Sequence, residues 1–440
     1  IREISQKQLE KDKDKYYVQG DFIGTAGLEK SYENLLRGEK GFNYILVDAM
    51  RREIGKYKDG KNDKLSLKGK DLVLSIDETA QSVAEEALRG RSGAVVAIEP
   101  SSGEILAMVS MPDYDLSQFS AVLSKDYLNQ LYTDPLKPQF NRATMSLHPP
   151  GSTFKILASL AALEMGVIDE TSTLPCTGGY TFGNRFFKCH GAHGATNVYS
   201  AIEGSCNTFY YQLIFKVGLD RLKDFATKFH LGVKTNLDLL EEAPGFIPNT
   251  AYYEKRYGKN WPRGILVSLG IGQGEISMTP LQLALMSAIV ANDGKSYEPH
   301  LVKGYLDENK NYHPLKFTEI NTGIQKKNLD IVKKGMYLVV NGAGTAGNIR
   351  RNDIHIAGKT GTAQNPHGLD HSIFIAFAPY EKPEIAVAVF VENAGFGSTY
   401  AAPIAQQVII AYLQKKGYKI DSGFPMAQGV IGDTLSGGVD

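Results

Sequence analysis

Two pairs of apolar runs, one early in the chain and one late, constrain its fold more than any other feature. Gly93-Ala94-Val95-Val96-Ala97-Ile98 and Glu104-Ile105-Leu106-Ala107-Met108-Val109-Ser110 flank Pro100-Ser101-Ser102-Gly103, a turn composition between two strand-like arms. Ser372-Ile373-Phe374-Ile375-Ala376-Phe377-Ala378 and Ile385-Ala386-Val387-Ala388-Val389-Phe390-Val391 flank a second turn from Pro379 to Pro383. A half-exposed strand alternates apolar and polar residues; these runs barely alternate, so both faces of the sheet are expected to be covered. A long helical stretch separates the hairpins and an apolar helix over 402–413 follows the second. The expected fold is mixed α/β: a largely antiparallel sheet drawn from both ends of the segment, flanked by helices, with a helical insertion between.

The remainder divides around this unit. Residues 1–66 read as the remnant of a separate N-terminal module, too short for a confident core of its own. Within it, residues 27–38 form one short amphipathic helix between glycines, and a polar linker or hairpin over 56–70 leads on from it. The main domain is expected over 67–423, opening with a strand at Leu72-Val73-Leu74-Ser75-Ile76 and a helix capped by Asp77. It continues with a glycine- and cysteine-rich loop over 171–194, one helix over 201–217, and a buried helix capped by Thr279 with Pro280 at its first position. Residues 424–440 are a glycine-rich tail, expected to be flexible. Lys plus Arg and Asp plus Glu both number 48, so no global field favours nucleic acid. No run of 18 apolar residues occurs. The chain opens on Ile1 rather than Met, which leaves room for a signal or anchor upstream.

The chemistry starts at Pro150-Gly151-Ser152-Thr153-Phe154-Lys155, a break that opens an apolar helix. Residues three apart share a helix face, so Lys155 can serve Ser152 as a base, and the helix N-terminus favours a developing alkoxide. Two further motifs follow in order: Ser205-Cys206-Asn207 at the mouth of the second helix and Lys359-Thr360-Gly361 on a strand. Ser152 is the expected nucleophile, and Lys155 the base, driven toward neutrality by desolvation. Ser205 can relay the proton. Asn207 offers a donor and an acceptor to the substrate amide and to Lys155. Lys359 adds positive charge, and Gly361 leaves space for an extended peptide to lie along the strand.

Each motif alone is common, but Ser-x-x-Lys, Ser-x-Asn and Lys-Thr-Gly in this order resemble class B penicillin-binding proteins, the D,D-transpeptidases of cell-wall synthesis. The resemblance also rests on Phe140-Asn141-Arg142-Ala143, Ile271-Gly272-Gln273-Gly274, Thr279-Pro280-Leu281-Gln282-Leu283-Ala284 and Lys359-Thr360-Gly361-Thr362-Ala363-Gln364. It covers roughly residues 70–415, and Gly27-Leu28-Glu29 with the following Tyr-Glu helix is similar to the penicillin-binding protein 2 branch of side-wall elongation. It implies the penicillin-binding protein/serine β-lactamase-like fold and an acyl-enzyme at Ser152. The implied donor is a D-Ala-D-Ala stem peptide, the acceptor an amine of a neighbouring stem, and β-lactams are covalent inhibitors. In the family the N–H groups matching Ser152 and Thr362 form the oxyanion hole, and the hydroxyls matching Thr360 and Thr362 hold the terminal carboxylate. The resemblance further implies the periplasmic face of the cytoplasmic membrane, an N-terminal transmembrane anchor absent from this chain, a rod-shape scaffold protein and a polytopic glycan polymerase as partners. Two alternatives share the motifs: a serine β-lactamase or β-lactam sensor, and a non-catalytic binding module. Gln273 and Asn141 each read equally as scaffold and as substrate contact.

All three cysteines, Cys176, Cys189 and Cys206, cluster in one region, with His190 and His193 between them. Cys176, Cys189, His193 and Cys206 match a closed tetrahedral structural zinc site, and His193 is preferred because His190 directly adjoins Cys189. A disulfide with one free thiol, or three buried thiols, would use the same residues. No cofactor is expected in the acyl-transfer chemistry itself.

Overall fold

The structure, a computed structural model, describes residues 2–12, 16–120, 124–366 and 368–421. The tail from Phe424, expected to be flexible, lies outside the described residues. The central sheet has five strands: β1 (Gly93–Ile98), β2 (Ile105–Met111), β3 (Ala357–Ala363), β4 (His371–Ala378) and β5 (Ile385–Val391). Their order is β3-β4-β5-β1-β2 and every pairing is antiparallel. The two expected hairpins therefore join edge to edge through β5 and β1, with Val389 opposite Val95 and Phe390 opposite Ala94. Every residue of β1 and β5 is buried, which is why neither run alternates.

The helices that cover the sheet and build the site are α1 (Glu78–Leu88), α2 (Phe154–Glu164), α3 (Val198–Glu203), α4 (Asn207–Val217), α5 (Pro280–Ala291), α6 (Lys326–Asn341) and α7 (Ala401–Lys415). Helices α1 and α7 lie side by side against the sheet, while α5 packs against β1, β4 and β5 on the other face. Asp77 caps α1 by accepting from the Ala80 N–H, and Thr279 forms a capping box with Gln282 ahead of Pro280. All of α5 is buried, so it is apolar all round rather than amphipathic.

Several expectations need correction. The single helix over 201–217 is two helices, α3 and α4, broken at residues 204–206. The 171–194 loop carries antiparallel pairs, Gly179–Phe182 with Arg185–Lys188 and Leu174–Cys176 with Gly194–Thr196. The helix over 27–38 is interrupted at Tyr32, giving Gly27–Ser31 and Glu33–Leu36. The expected strand over 72–76 is present as Asp71–Leu74, in a small three-stranded sheet with Val302–Leu306. Helix α6 was not foreseen, yet its Leu329, Val332, Met336, Val339 and Val340 are all buried at the spacing of one helix face. Gly335 lets α6 approach α3: an added Cβ would lie 2.7 Å from Ile202 Cδ1.

Backbone pairing of Glu39 with Leu67, the Lys70 N–H donated to the Leu35 carbonyl and one long-range side-chain bond tie the N-terminal segment to the main domain. The Tyr32 hydroxyl donates to Asp238 Oδ2 at 2.8 Å, and the same carboxylate accepts from the Leu301 and Val302 N–H groups.

Candidate active site

Ser152 lies on a 3-10 turn, Gly151–Thr153, that runs directly into α2. Gly151 has φ +54°, and a Cβ there would sit 2.5 Å from the Thr362 carbonyl oxygen. Conformation and close approach thus both demand glycine before the serine. The turn is pinned on its other side, where the Gly151 N–H donates to the Gly272 carbonyl at 2.9 Å.

Lys155 is wholly buried. Its amine reaches the Ser205 carbonyl at 2.8 Å, Ser205 Oγ at 3.1 Å and Asn207 Oδ1 at 2.7 Å. The first and second motifs therefore meet, through the lysine. Burial pushes the Lys155 amine down to about 7, against which the sulfurs of Cys189 and Cys206 pull weakly upward. The Tyr210 ring lies 5.4 Å from the amine, and its hydroxyl is 2.8 Å from Ser159 Oγ. As an ammonium, Lys155 has three protons for three acceptors; as a neutral amine, it can accept a proton from Ser205.

Ser205 owes its position to the break between α3 and α4. Its φ is +52°, a left-handed conformation that costs a non-glycine residue about 1–3 kcal/mol and persists only where the surroundings impose it. Those surroundings are the Cys206 N–H bonded to the Ala201 carbonyl at 3.0 Å and the Asn207 N–H bonded to the Cys189 sulfur at 3.2 Å. The kink turns Ser205 Oγ and Asn207 Oδ1 to Lys155 while Cys206 faces the thiol cluster.

The third motif lies on β3, at the sheet edge. Lys359 is fully buried, and burial, with the nearby Lys155 charge, holds its amine well below the ordinary lysine range. It donates to the Thr360 carbonyl at 3.2 Å. A Cβ at Gly361 would meet Thr153 Cγ2 at 2.9 Å and the Pro150 carbonyl oxygen at 3.1 Å. The missing side chain makes room for the nucleophile turn. Thr362 carries its carbonyl to the Gln273 amide, which donates at 3.0 Å. Gln273 is buried and acts here as scaffold. Asn141 is scaffold too: its side chain caps a short helix by accepting from the Ala143 N–H at 3.0 Å. Arg142 beside it, itself buried, forms an ion pair with the partly exposed Glu392 at 2.9 Å. Two contacts lay outside the sequence reading, that of Tyr210 with Lys155 and that of Thr345 Oγ1 with Thr360 Oγ1 at 2.6 Å.

Behind the second motif, the ligand atoms of Cys176, Cys189, His193 and Cys206 all lie within 4.8 Å of one another. Individual separations are 3.4 Å from Cys176 Sγ to His193 Nδ1, 3.6 Å from Cys189 Sγ to the same nitrogen, and 3.9 Å between the sulfurs of Cys189 and Cys206. No disulfide joins any of them. The hydrogen bond between Cys206 and Cys189 lowers the Cys189 thiol and raises that of Cys206. His190 is exposed and takes no part.

The family described as "Penicillin binding protein transpeptidase domain" matches residues 93–410, and "Penicillin-binding Protein dimerisation domain" matches 1–74. A curated relative, the peptidoglycan D,D-transpeptidase MrdA of Haemophilus influenzae, is 35% identical over 94% of this chain and 67% of its own length. The chain thus spans about two thirds of that relative. Among solved structures, Pseudomonas aeruginosa PBP2 in complex with WCK 5153 is 36% identical with TM-score 0.79, covering 96% of this chain and 89% of that one. The complex between PBP2 and MreC from Helicobacter pylori is 30% identical with TM-score 0.84, covering 94% and 76%.

Proposed function

Because the chain belongs to the penicillin-binding protein transpeptidase family, we propose that it cross-links peptidoglycan stem peptides through a serine acyl-enzyme in cell-wall elongation and is acylated by β-lactams. The observation that carries this reading is the fully buried Lys155 amine, bonded to Ser205 Oγ at 3.1 Å and Asn207 Oδ1 at 2.7 Å on the helix that begins beside Ser152. Ser152 Oγ attacks the carbonyl of the penultimate D-Ala, and its proton passes to the neutral Lys155 amine. The tetrahedral oxyanion lies between the N–H groups of Ser152 and Thr362. The proton then travels through Ser205 to the departing D-Ala nitrogen, the C–N bond breaks, and the acyl group remains on Ser152. An amine of a second stem attacks the ester and returns the serine. Asn207 holds the substrate amide, Lys359 supplies positive potential, and the hydroxyls of Thr360 and Thr362 hold the terminal carboxylate. A β-lactam follows the same first step, but its leaving nitrogen stays tethered after ring opening.

The cysteine cluster fits a zinc ion on geometry. A tetrahedral site with Zn–S near 2.3 Å and Zn–N near 2.0–2.1 Å has sulfur–sulfur edges of about 3.8 Å and sulfur–nitrogen edges of about 3.5 Å. The separations of 3.9, 3.4 and 3.6 Å lie close to those edges, and the Asn207 N–H donating to Cys189 sulfur suits a thiolate. Cys176, Cys189, His193 and Cys206 would hold the ion, which supplies structural rigidity and no acyl-transfer chemistry.

We also propose a division into a remnant module over 1–66 and a transpeptidase domain over 67–423; two family matches, over 1–74 and 93–410, support two units though not that exact boundary. Membrane anchoring upstream, a periplasmic location and docking of a rod-shape scaffold and a glycan polymerase through the N-terminal module are proposals by likeness. The Helicobacter pylori PBP2 complex with MreC supports the scaffold. Labelling with a fluorescent penicillin tests the central claim: stable labelling lost in Ser152→Ala is expected, whereas rapid turnover of the label indicates a β-lactamase and no labelling of the native chain refutes the acyl-enzyme.

A further inference from the structure

The segment 342–347, Gly-Ala-Gly-Thr-Ala-Gly, links α6 to the approach to β3, and nothing in the three motifs accounts for it. It is held at many points. The Ala343 N–H donates to Glu203 Oε1 at 2.7 Å, at the end of α3 just ahead of Ser205. The Ala346 N–H donates to the Val339 carbonyl at 2.9 Å, and Asn341 Nδ2 to the Ile356 carbonyl at 2.8 Å. Asn348 Nδ2 reaches the Ser398 carbonyl at 2.8 Å. A Cβ at Gly342 would fall 2.3 Å from Glu203 Oε1, and one at Gly344 would fall 2.4 Å from Val339 Cα. The loop is thus fixed between the second motif and the strand of the third. Its exposed Thr345 presents a hydroxyl 2.6 Å from that of Thr360, which is itself only 8% exposed.

We propose that Thr345 is a positioning residue for recognition of the substrate's terminal carboxylate, acting through the Thr360 hydroxyl. This rests on the reading of Thr360 as a carboxylate contact. Each hydroxyl has one proton and two lone pairs, so at this separation one of the pair donates to the other. If Thr360 donates, its lone pairs face the incoming anion and repel it. If Thr345 donates, the Thr360 proton is free to point at the carboxylate, and the two hydroxyls polarise each other in one direction. An anion selects the second arrangement; a neutral ester gains little from it. Thr345 therefore sharpens discrimination between a free carboxylate and its neutral derivative without touching the reacting carbonyl.

The test compares second-order acylation rates for a penicillin and for its carboxylate methyl ester, in the native chain and in Thr345→Val, Thr345→Ser and Thr360→Val. Loss of a hydrogen bond that supports an anion contact is expected to slow the acid in Thr345→Val about tenfold while changing the ester less than about twofold. Thr345→Ser, which keeps the hydroxyl, is expected to retain the native ratio of acid to ester. Thr345→Val slowing both compounds equally, or neither, overturns the inference, since a purely structural role does not distinguish them. Thr360→Val separates the underlying reading: a collapsed ratio there with a native ratio in Thr345→Val refutes only the role of Thr345. A native ratio in Thr360→Val refutes Thr360 as the carboxylate contact and the inference with it.

Discussion

The pH dependence of acylation gives the most direct test of the buried base. An ordinary lysine titrates near 10.5, and burial brings Lys155 to about 7; at about 1.4 kcal/mol per pH unit this is a penalty of about 5 kcal/mol on the charged amine. Only the neutral amine takes the Ser152 proton. The second-order rate of acylation by a penicillin should rise tenfold per pH unit below about 7 and level off above it. At pH 5 the rate should be about one hundredth of the plateau. Asn207→Asp then places a carboxylate where Oδ1 now lies 2.7 Å from the amine. An opposite charge at that range favours the ammonium and should move the inflection upward by about 1–3 pH units. Near neutral pH the variant should be about ten- to a thousandfold slow, and it should recover toward pH 9 or 10. Stopped-flow acylation from pH 5 to 10 reads both curves. A flat native profile, or an inflection that stays in place while Asn207→Asp slows the reaction equally at every pH, would refute Lys155 as the base. The same group bears on stability. Between about 7 and 10.5 the unfolded lysine is protonated and the folded one is not; the unfolded state binds more protons there, so the contribution of Lys155 rises with pH across that window.

Gly361→Ala should slow acylation by about a hundredfold, since a Cβ 2.9 Å from Thr153 Cγ2 displaces the nucleophile turn; an unchanged rate would show that the turn yields at no cost. Arg142→Ala leaves the partly exposed Glu392 carboxylate without its partner at 2.9 Å and should cost about 1.5–3 kcal/mol in urea unfolding, with Glu392→Gln restoring part of it in the double variant. Metal analysis of untagged protein should find one zinc per chain, and its removal should lower both the melting temperature and the acylation rate, because Cys206 adjoins the strained Ser205. A zinc-free sample that melts and acylates as before would refute that coupling.

What was legible in the sequence, and what was not, follows from whether the cause is local. The sheet could be read from β1 and β5 because burial on both faces writes itself as unbroken apolar runs. The cap at Asp77 and the capping box at Thr279 are local chemistry and were equally visible. The break at Ser205 was hidden: residues 201–217 read as one helix, and the left-handed φ of Ser205 is imposed by contacts from Ala201 and from the distant Cys189. Helix α6 carries a periodic apolar face, Leu329, Val332, Met336 and Val339, that was open to the same reading and was passed over. The four residues of the cysteine cluster could be chosen from spacing, whereas their mutual distances depend on the strand pairs that fold the 171–194 segment back on itself. Gly361 shows the limit most clearly. The sequence says that a side chain is unwelcome there, and only the structure says that Thr153 is the reason.

The edge-to-edge union of β5 with β1 has a consequence for how the chain is made. Its register sets Val389 against Val95 and Phe390 against Ala94, so the centre of the sheet is a contact between segments synthesised far apart in time. Closing so long a loop forfeits much chain entropy before any pairing returns it. Helices α1 and α5 can cover the early hairpin before then, but the edge of β1 that meets β5 has no partner until the late hairpin emerges. A ribosome stalled before residue 385 would hold a chain that contains Ser152, Lys155, Ser205, Asn207 and Lys359 but lacks the strand that joins them into one cleft. Acylation competence should thus appear abruptly with the last stretch of synthesis, and the incomplete chain needs protection from aggregation until then.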